Sequence, residues 1–381
     1  LLWLVDAFNR YGIRDERITV FMALGTHKSP DEKILPRVLG PVVDRVKVVH
    51  HNINGPMLDC GVTSKGTPVL VDARIREAGL LVLYSGVTHH YFAGFTGGRK
   101  LITPGISSFE TIQSNHSLTW KNPKESDERH PMSASGILTG NPVSDDMLEC
   151  ARMAIGDTPS FSICSVLTPD KDFAFISTGE LESAHSAACG FADKIFTVDI
   201  DKRADLIFAS AGGYPKDLNL IQSHKGLDNA VKGLNPGGTI VYAMGCRDGS
   251  GHPIIDEFAF LSTDEIRDRL LKKYEIYGQT TYSIKQKTRD YRVIAVSLLD
   301  SELLSELGFI PASSIESAME LISDDLLSGQ PVYHIPRADL TVLRSHEGTC
   351  KQSQTGTRKT ALRCQPESSS SFRLHPMRRN T

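Results

Sequence analysis

The sequence predicts an α/β fold with largely parallel sheets, divided into two units. Three observations lead there. Apolar, β-branched runs closed by glycine alternate with N-capped helical segments. Their strand, turn, helix order repeats, as a parallel sheet requires. A second strand–helix–strand pattern then begins afresh after a loosely patterned stretch between residues 140 and 190. With 381 residues, 40% hydrophobic and 23% charged, the chain is long enough for about two domains with real cores.

In chain order, "LLWLVDAFNRYG" starts without a methionine and partway into an amphipathic helix, so a preceding segment is expected. "ITVFMALG" (18–25) reads as a buried strand, and "THKSPDEKILPRVLG" as a turn and helix with Ser29 as cap, Pro30 at the first position and Glu32 completing a capping box. His27 falls in the strand-to-helix turn. "DRVKVVHHN" and "LLVLYSG" are further strands, and "SSFETIQSNHSL" opens a helix with Ser107 and Glu110 in capping-box register. Downstream, "ADLIFASAGG" reads as strand and glycine turn, "LNLIQSHKGLDNAVKGL" as helix and "GGTIVYAMG" as strand. The domains expected are 1–190, 191–343 and a basic, disordered tail at 344–381, which carries eight Lys/Arg against two Asp/Glu and few aliphatics.

The formal charge of -3 gives no bulk electrostatic reason for a nucleic-acid or membrane partner, which leaves a small molecule. No apolar run has the length of a membrane span. Seven scattered cysteines, odd in number and without a C-x-x-C pair, suggest neither a disulfide framework nor a thiolate zinc site and fit a reducing cytoplasm.

The densest chemistry lies in "HHYFAGFTGGRKLITPG" (89–105). Glycines after a strand can turn backbone N–H groups toward an anion, with Arg99 and Lys100 adding positive charge. The spacing is neither a Walker A loop nor a dinucleotide G-x-G-x-x-G fingerprint. His27, His89 and His90 fall at strand ends, where open parallel sheets bind ligands, and His116 follows two helical turns into the next helix. Histidine exchanges protons near neutral pH and ligates metals when neutral. His50, His51, His130, His185, His252, His334, His346 and His375 read more simply as hydrogen-bonded structural residues.

"HHYFAGFTGGRKLITPGISSFETIQSNH", with "ALGTH" upstream and "GGYPKDLNLIQSHKGL" downstream, closely resembles the nickel-dependent lactate racemase family. The resemblance runs from about residue 10 to about 340 and includes a specific His-x9-Lys-x15-His spacing. It implies two α/β domains with the active site in the cleft between them, and an isomerase that racemises or epimerises a 2-hydroxy acid, lactate or a related one. It also implies a nickel pincer nucleotide (pyridinium-3,5-bisthiocarboxylic acid mononucleotide nickel), delivered by cofactor-biosynthesis enzymes and attached covalently at Lys100. By the same resemblance His116 ligates nickel, and His90 and His27 are the two catalytic acid/bases. Gly97, Gly98, Arg99 and Phe92 lie at the cofactor, and Gln222 and Lys225 contact the substrate. Ile221 replaces a tyrosine of the lactate enzyme, which points to a different or bulkier substrate. The family's Asp-x-Thr-Arg-Pro segment would precede the first residue of this chain.

Without the resemblance two other readings compete. One is a simple divalent-metal hydrolase or lyase built on His27, His90 and His116. The other is a non-enzymatic nucleotide- or phosphate-binding α/β module using "GFTGGRK".

Overall fold

The computed structural model describes residues 1–27, 29–122, 125–327 and 331–345. It begins with α1 (Leu2–Arg10), β1 (Thr19–Met22), α2 (Leu35–Leu39) and β2 (Lys47–His50), with β1 and β2 paired in parallel. The helix expected to start at Ser29 starts later. Asp31 is the cap, accepting from the Lys33 N–H at the head of one 3-10 turn, and regular helix begins at Leu35. Pro36 sits in the first turn of α2, where a missing N–H costs little.

The N-terminal half continues with an antiparallel pair, β3 (Met57–Val62) and β4 (Pro68–Asp72), then β5 (Leu81–Gly86), the short pair β6 (His89–His90) and β7 (Gly94–Phe95), and α3 (Phe109–Ser117). Next come α4 (Pro142–Ile155), β8 (Ser160–Leu167), β9 (Phe173–Gly179) and α5 (Leu181–Phe196). β5 and β8 run parallel, and β9 returns antiparallel along β8. α4 starts where Asn141 accepts from the N–H groups of Val143 and Ser144, with Pro142 in the first turn. Its residues Cys150, Ala151 and Ala154 bury against Val69 and Val71 of β4. α5 turns the small side chains Ala184, Ala188, Cys189 and Ala192 toward Cys164 and Val166 of β8, which lets the helix lie close to the strand. The 190/191 division falls inside this continuous helix, and the core of the C-terminal half takes up at Ile200.

That half runs β10 (Thr197–Ile200), β11 (Ala204–Ser210), α6 (Leu220–Ala230), β12 (Leu234–Met244), α7 (Pro253–Ala259), α8 (Thr263–Lys272), α9 (Ile276–Asp290), β13 (Arg292–Ser297), α10 (Ser301–Glu306), β14 (Ile310–Ala312), α11 (Ile315–Glu320), α12 (Asp324–Leu327), β15 (Val332–Ile335) and β16 (Val342–Ser345). Five strands form one parallel sheet in the order β14-β13-β12-β11-β15. Because successive strand residues face opposite ways, Ile207, Ile240 and Val293 enter the core under α6, while their neighbours Leu206, Val241 and Ile294 enter the core under α11. Burial on both faces explains the nearly unbroken apolar runs of these strands. β16 pairs in parallel with β10, so Arg344 and Ser345, assigned to the tail by composition, belong to a strand. The rest of that expected tail, 346–381, lies outside the described residues. Among the described residues no helix is long and apolar enough to cross a membrane.

Candidate active site

β6 sorts its two histidines by strand alternation. His89 is buried toward α5, its Nε2 3.0 Å from Asp193 Oδ1. His90 faces the other way, with Ala93 N–H 3.3 Å from its Nδ1 holding the ring. There it meets Phe92 edge-on at 4.6 Å between ring centroids. Phe92 is the hub of the wall. His116 lies 4.9 Å from it, also edge-on, and Lys100 Nζ stands over its ring at 5.6 Å. The three members of the His-x9-Lys-x15-His pattern thus gather around one buried aromatic.

Lys100 sits in a single 3-10 turn, Gly98–Leu101, after β7. The glycines before it are held by close packing. A Cβ on Gly98 would lie 2.4 Å from the His185 ring, and one on Gly97 would lie 2.6 Å from Gly86 O, with both residues at positive φ. The Gly98 N–H donates to Ser85 Oγ at 2.9 Å. Gly97 and Gly98 are glycine because the loop presses onto β5 and α5. Arg99 packs toward α4. It is buried, and its Nη1 donates to the Ser144 carbonyl at 3.2 Å on α4. Its guanidinium buttresses the loop from beneath.

His116 owes its position to α3. The cap is Ser108, one residue beyond the expected Ser107, and its hydroxyl accepts from the Thr111 N–H. Ser107 instead donates to the Ile102 carbonyl. Capped there, α3 buries Thr111, Ile112, Asn115 and His116 along one face. Asn115 Nδ2 donates to Asp146 Oδ2 at 2.8 Å, so its Oδ1 is the acceptor 3.2 Å from His116 Nδ1. The His116 proton therefore resides on Nδ1, and Nε2 keeps its lone pair.

The opposite wall comes from α6, whose start is fixed by Asn219 accepting from the Gln222 N–H. Lys225 Nζ donates to Gln222 Oε1 at 2.8 Å, pairing the two residues expected to contact substrate. His27 stands at the open rim, in a turn whose Gly25 N–H donates to the Gly105 carbonyl just past the lysine loop.

No motif singles out the residues behind these walls. Tyr91 packs edge-on against His224 at 4.7 Å and gives its carbonyl to Arg129. Asp228 is buried between Lys287 Nζ at 3.0 Å and Arg129 Nη1 at 3.3 Å, so a side chain of each half meets at one carboxylate. The nearest signal in the sequence is the i, i+4 relation of His224 and Asp228 on a helix face.

Desolvation dominates the electrostatics. Burial, then the charge on Lys225, brings Lys100 down to about 7. Burial, then Lys100, takes His116 to about 3 and holds His90 well below the usual imidazole range. Loss of water, then Lys225 and Lys100, also lowers His27. Burial, then Lys216, brings Lys225 to about 8. At neutral pH the cleft therefore offers neutral imidazoles, a substantially neutral amine at Lys100 and an ammonium at Lys225. Among the described residues no group of three or more His, Cys, Asp or Glu is arranged to hold a metal ion by itself.

Fold and cleft together define an α/β enzyme that combines an activated lysine with several neutral histidines. Residues 1–128 match the family model for the lactate racemase N-terminal domain, and residues 200–338 match that for the C-terminal domain. The lactate racemase of Lactiplantibacillus plantarum is 32% identical over 319 residues, 80% of this chain and 72% of that protein. The lactate racemase of Thermoanaerobacterium thermosaccharolyticum is 31% identical over 241 residues, 62% of this chain and 54% of that protein. The solved lactate racemase apoprotein from the same organism superposes with a TM-score of 0.79 at 26% identity, covering 90% of this chain and 82% of that one. A structural-genomics protein from Thermotoga maritima shares the fold, with a TM-score of 0.66 at 15% identity over 86% of this chain and 85% of that one. The chain belongs to the lactate racemase family and is an isomerase.

Proposed function

We propose that this chain racemises or epimerises a 2-hydroxy acid, lactate or a related one, carrying a nickel pincer nucleotide on Lys100 with His116 as the protein ligand to nickel. The observation that carries the reading is the gathering of His90, His116 and Lys100 around Phe92. The residues fit such a group on three counts. The Lys100 amine has no hydrogen-bond or salt-bridge partner among the described residues, and its pKa of about 7 leaves much of it neutral and nucleophilic at physiological pH. His116 keeps Nε2 as a lone-pair nitrogen. Among the described residues no group of three or more His, Cys, Asp or Glu is arranged to hold the metal, so the organic cofactor would supply the ligands besides His116.

When bound, that group supplies the acceptor for the hydrogen on the substrate's C2, leaving the protein to handle protons and orientation. The substrate carboxylate binds the Lys225 ammonium through a charge-assisted bond, with Gln222 fixing the lysine. One of His27 and His90, each neutral at pH 7, takes the hydroxyl proton as C2 becomes planar. The other, protonated from solvent in the course of the turnover, returns that proton to oxygen when hydrogen comes back to the opposite face, and the first then gives its own proton to solvent. Burial of His90 favours its neutral form and so speeds release of the proton it has taken.

Peptide mass spectrometry and nickel analysis of protein coexpressed with the cofactor-making enzymes test the reading. A mass adduct on the Lys100 peptide, lost in Lys100→Ala, is expected. An unmodified lysine in nickel-replete protein overturns it. His27→Ala and His90→Ala should each keep the adduct and lose racemisation, and normal racemisation by either variant would remove that residue from the acid/base pair.

A further inference from the structure

Arg129 stands where three segments of the chain meet, and each of its guanidinium nitrogens serves a different one. Nε donates to the Ser133 carbonyl at 2.8 Å, within its own loop. Nη2 donates to the Tyr91 carbonyl, between His90 and Phe92. Nη1 lies 3.3 Å from Asp228 Oδ1 on α6, one helical turn past Lys225. A planar fork of fixed donors holds its three acceptors in one relative arrangement, which an ammonium on a flexible stem does not.

The carbonyls of the two residues after His90 are held from different sides. That of Phe92 accepts from Asn141 Nδ2 at 2.8 Å, at the head of α4. That of Tyr91 is tied through Arg129 to α6. The Tyr91 ring follows the same route, stacked on the His90 ring at 5.1 Å and meeting His224 of α6 edge-on at 4.7 Å. Asp228 is braced in turn by Lys287 Nζ of α9 at 3.0 Å. The loop of Arg129 is anchored as well. Trp120, its antiparallel bridge partner, is buried among Phe258, Ile266, Leu270 and Tyr282 of α7, α8 and α9. One side chain therefore joins the backbone beside His90 to the helix that carries Gln222 and Lys225.

We propose that Arg129 is a positioning residue: by tying the Tyr91 carbonyl to Asp228 it sets the separation between His90, which handles the proton, and Gln222 and Lys225, which hold the carboxylate. The proposal rests on the racemase reading and adds to it a residue that acts through others. Arg129→Met should lower kcat of the cofactor-loaded enzyme about tenfold or more, because a displacement of about 1 Å between acid/base and substrate is enough for such a loss. KM should stay within about threefold, since Lys225 and Gln222 remain paired on α6 and Lys287 still holds Asp228. Arg129→Lys keeps the charge beside Asp228 and loses the fork, so its kcat should also stay low. Ser135→Ala removes a different bond between the halves, Ser135 Oγ to Asn229 Oδ1 at 3.2 Å, and should leave kcat within about twofold of the parent.

A second readout needs no turnover. The Lys225 charge bears on Lys100 across the cleft, so the pH midpoint of Lys100 labelling in cofactor-free protein reports the separation of the two walls. In Arg129→Lys, where net charge is unchanged, that midpoint should rise as α6 draws back. Full kcat in Arg129→Met or Arg129→Lys, a loss confined to KM, or an equal loss in Ser135→Ala overturns the proposal. An unchanged midpoint in Arg129→Lys overturns it too. Failure of the racemase reading looks different: the parent carries no adduct on Lys100 and racemises no 2-hydroxy acid, and the labelling midpoint then decides the role of Arg129.

Discussion

Lys225, reaching from α6, is the charge that joins burial in lowering the pKa of Lys100 to about 7. The two amines titrate in sequence. Lys100, the weaker base, gives up its proton first, and Lys225 holds its own to about 8. Lys225→Met removes the neighbouring charge and leaves the burial, so the Lys100 pKa should rise part of the way toward that of a free lysine. Labelling of Lys100 by an amine-reactive reagent, followed by peptide mass spectrometry across pH, should show a higher midpoint and about threefold or greater loss of labelling at pH 7. An unchanged midpoint would assign the whole shift to burial.

The same residue sets the alkaline limit of substrate binding. Lys225 is charged below about 8 and neutral above it, so its bond to a substrate carboxylate is present at lower pH and lost as pH rises through that value. KM should climb above pH 8 by about tenfold for each further pH unit. On the acid side, His27 and His90 have lowered pKa values, so proton transfer should persist below the usual imidazole range. Lys225→Arg, charged throughout, should move the alkaline limb upward. A limb that stays near 8 in that variant would belong to another group.

The wall of the cleft built by residues 89–116 is legible in the sequence because one short segment makes it: a strand end, a turn and a capped helix. The parallel sheet is legible for a similar reason, since burial on both faces leaves long apolar runs. What the sequence hides are choices made by distant contacts. Ser107 and Ser108 are equivalent as caps until the Ser108 N–H is seen donating to the Leu70 carbonyl and Ser107 folding back on Ile102. "TGGRK" has the texture of an anion loop, and nothing local reveals that its glycines also pack on Ser85 and His185 and its arginine on Ser144. Asp228 meets Arg129 across 99 residues of chain, and nothing local marks either partner.

The packing role of Gly98 is open to direct measurement. A Cβ there meets the His185 ring at 2.4 Å, and φ of +52° is a conformation that side chains other than glycine adopt at a cost. Gly98→Ala should lower stability by about 1–3 kcal/mol in denaturant titration. Adding His185→Ala opens space for the methyl, so the two changes together should cost less than the sum of each alone. Were the glycine instead required only for close approach of a nucleotide, Gly98→Ala would unfold like the parent and fail only in adduct formation.

Asp228 should be the strongest single electrostatic contributor to the union of the two halves. It is buried, with Lys287, Arg129 and Lys232 as partners, and the first two lie within 3.3 Å. Their charges, Lys287 foremost, outweigh its burial and hold its pKa far below the usual carboxylate range. A group depressed in this way contributes stability that is fully present above its unfolded value near 3.9 and is lost as pH falls toward the folded value. Asp228→Asn leaves the buried Lys287 without a counter-charge, and the expected cost at pH 7 is about 3–5 kcal/mol in denaturant titration. The gap between parent and variant should shrink as pH drops below about 4, where the unfolded parent takes up a proton that the folded parent resists. Adding Lys287→Met should restore much of the loss, because the penalty arises from the stranded cation rather than from the missing carboxylate. If the double variant is as unstable as Asp228→Asn alone, the contribution of Asp228 runs through Arg129, and the contact between the halves, not the buried lysine, is what the carboxylate maintains.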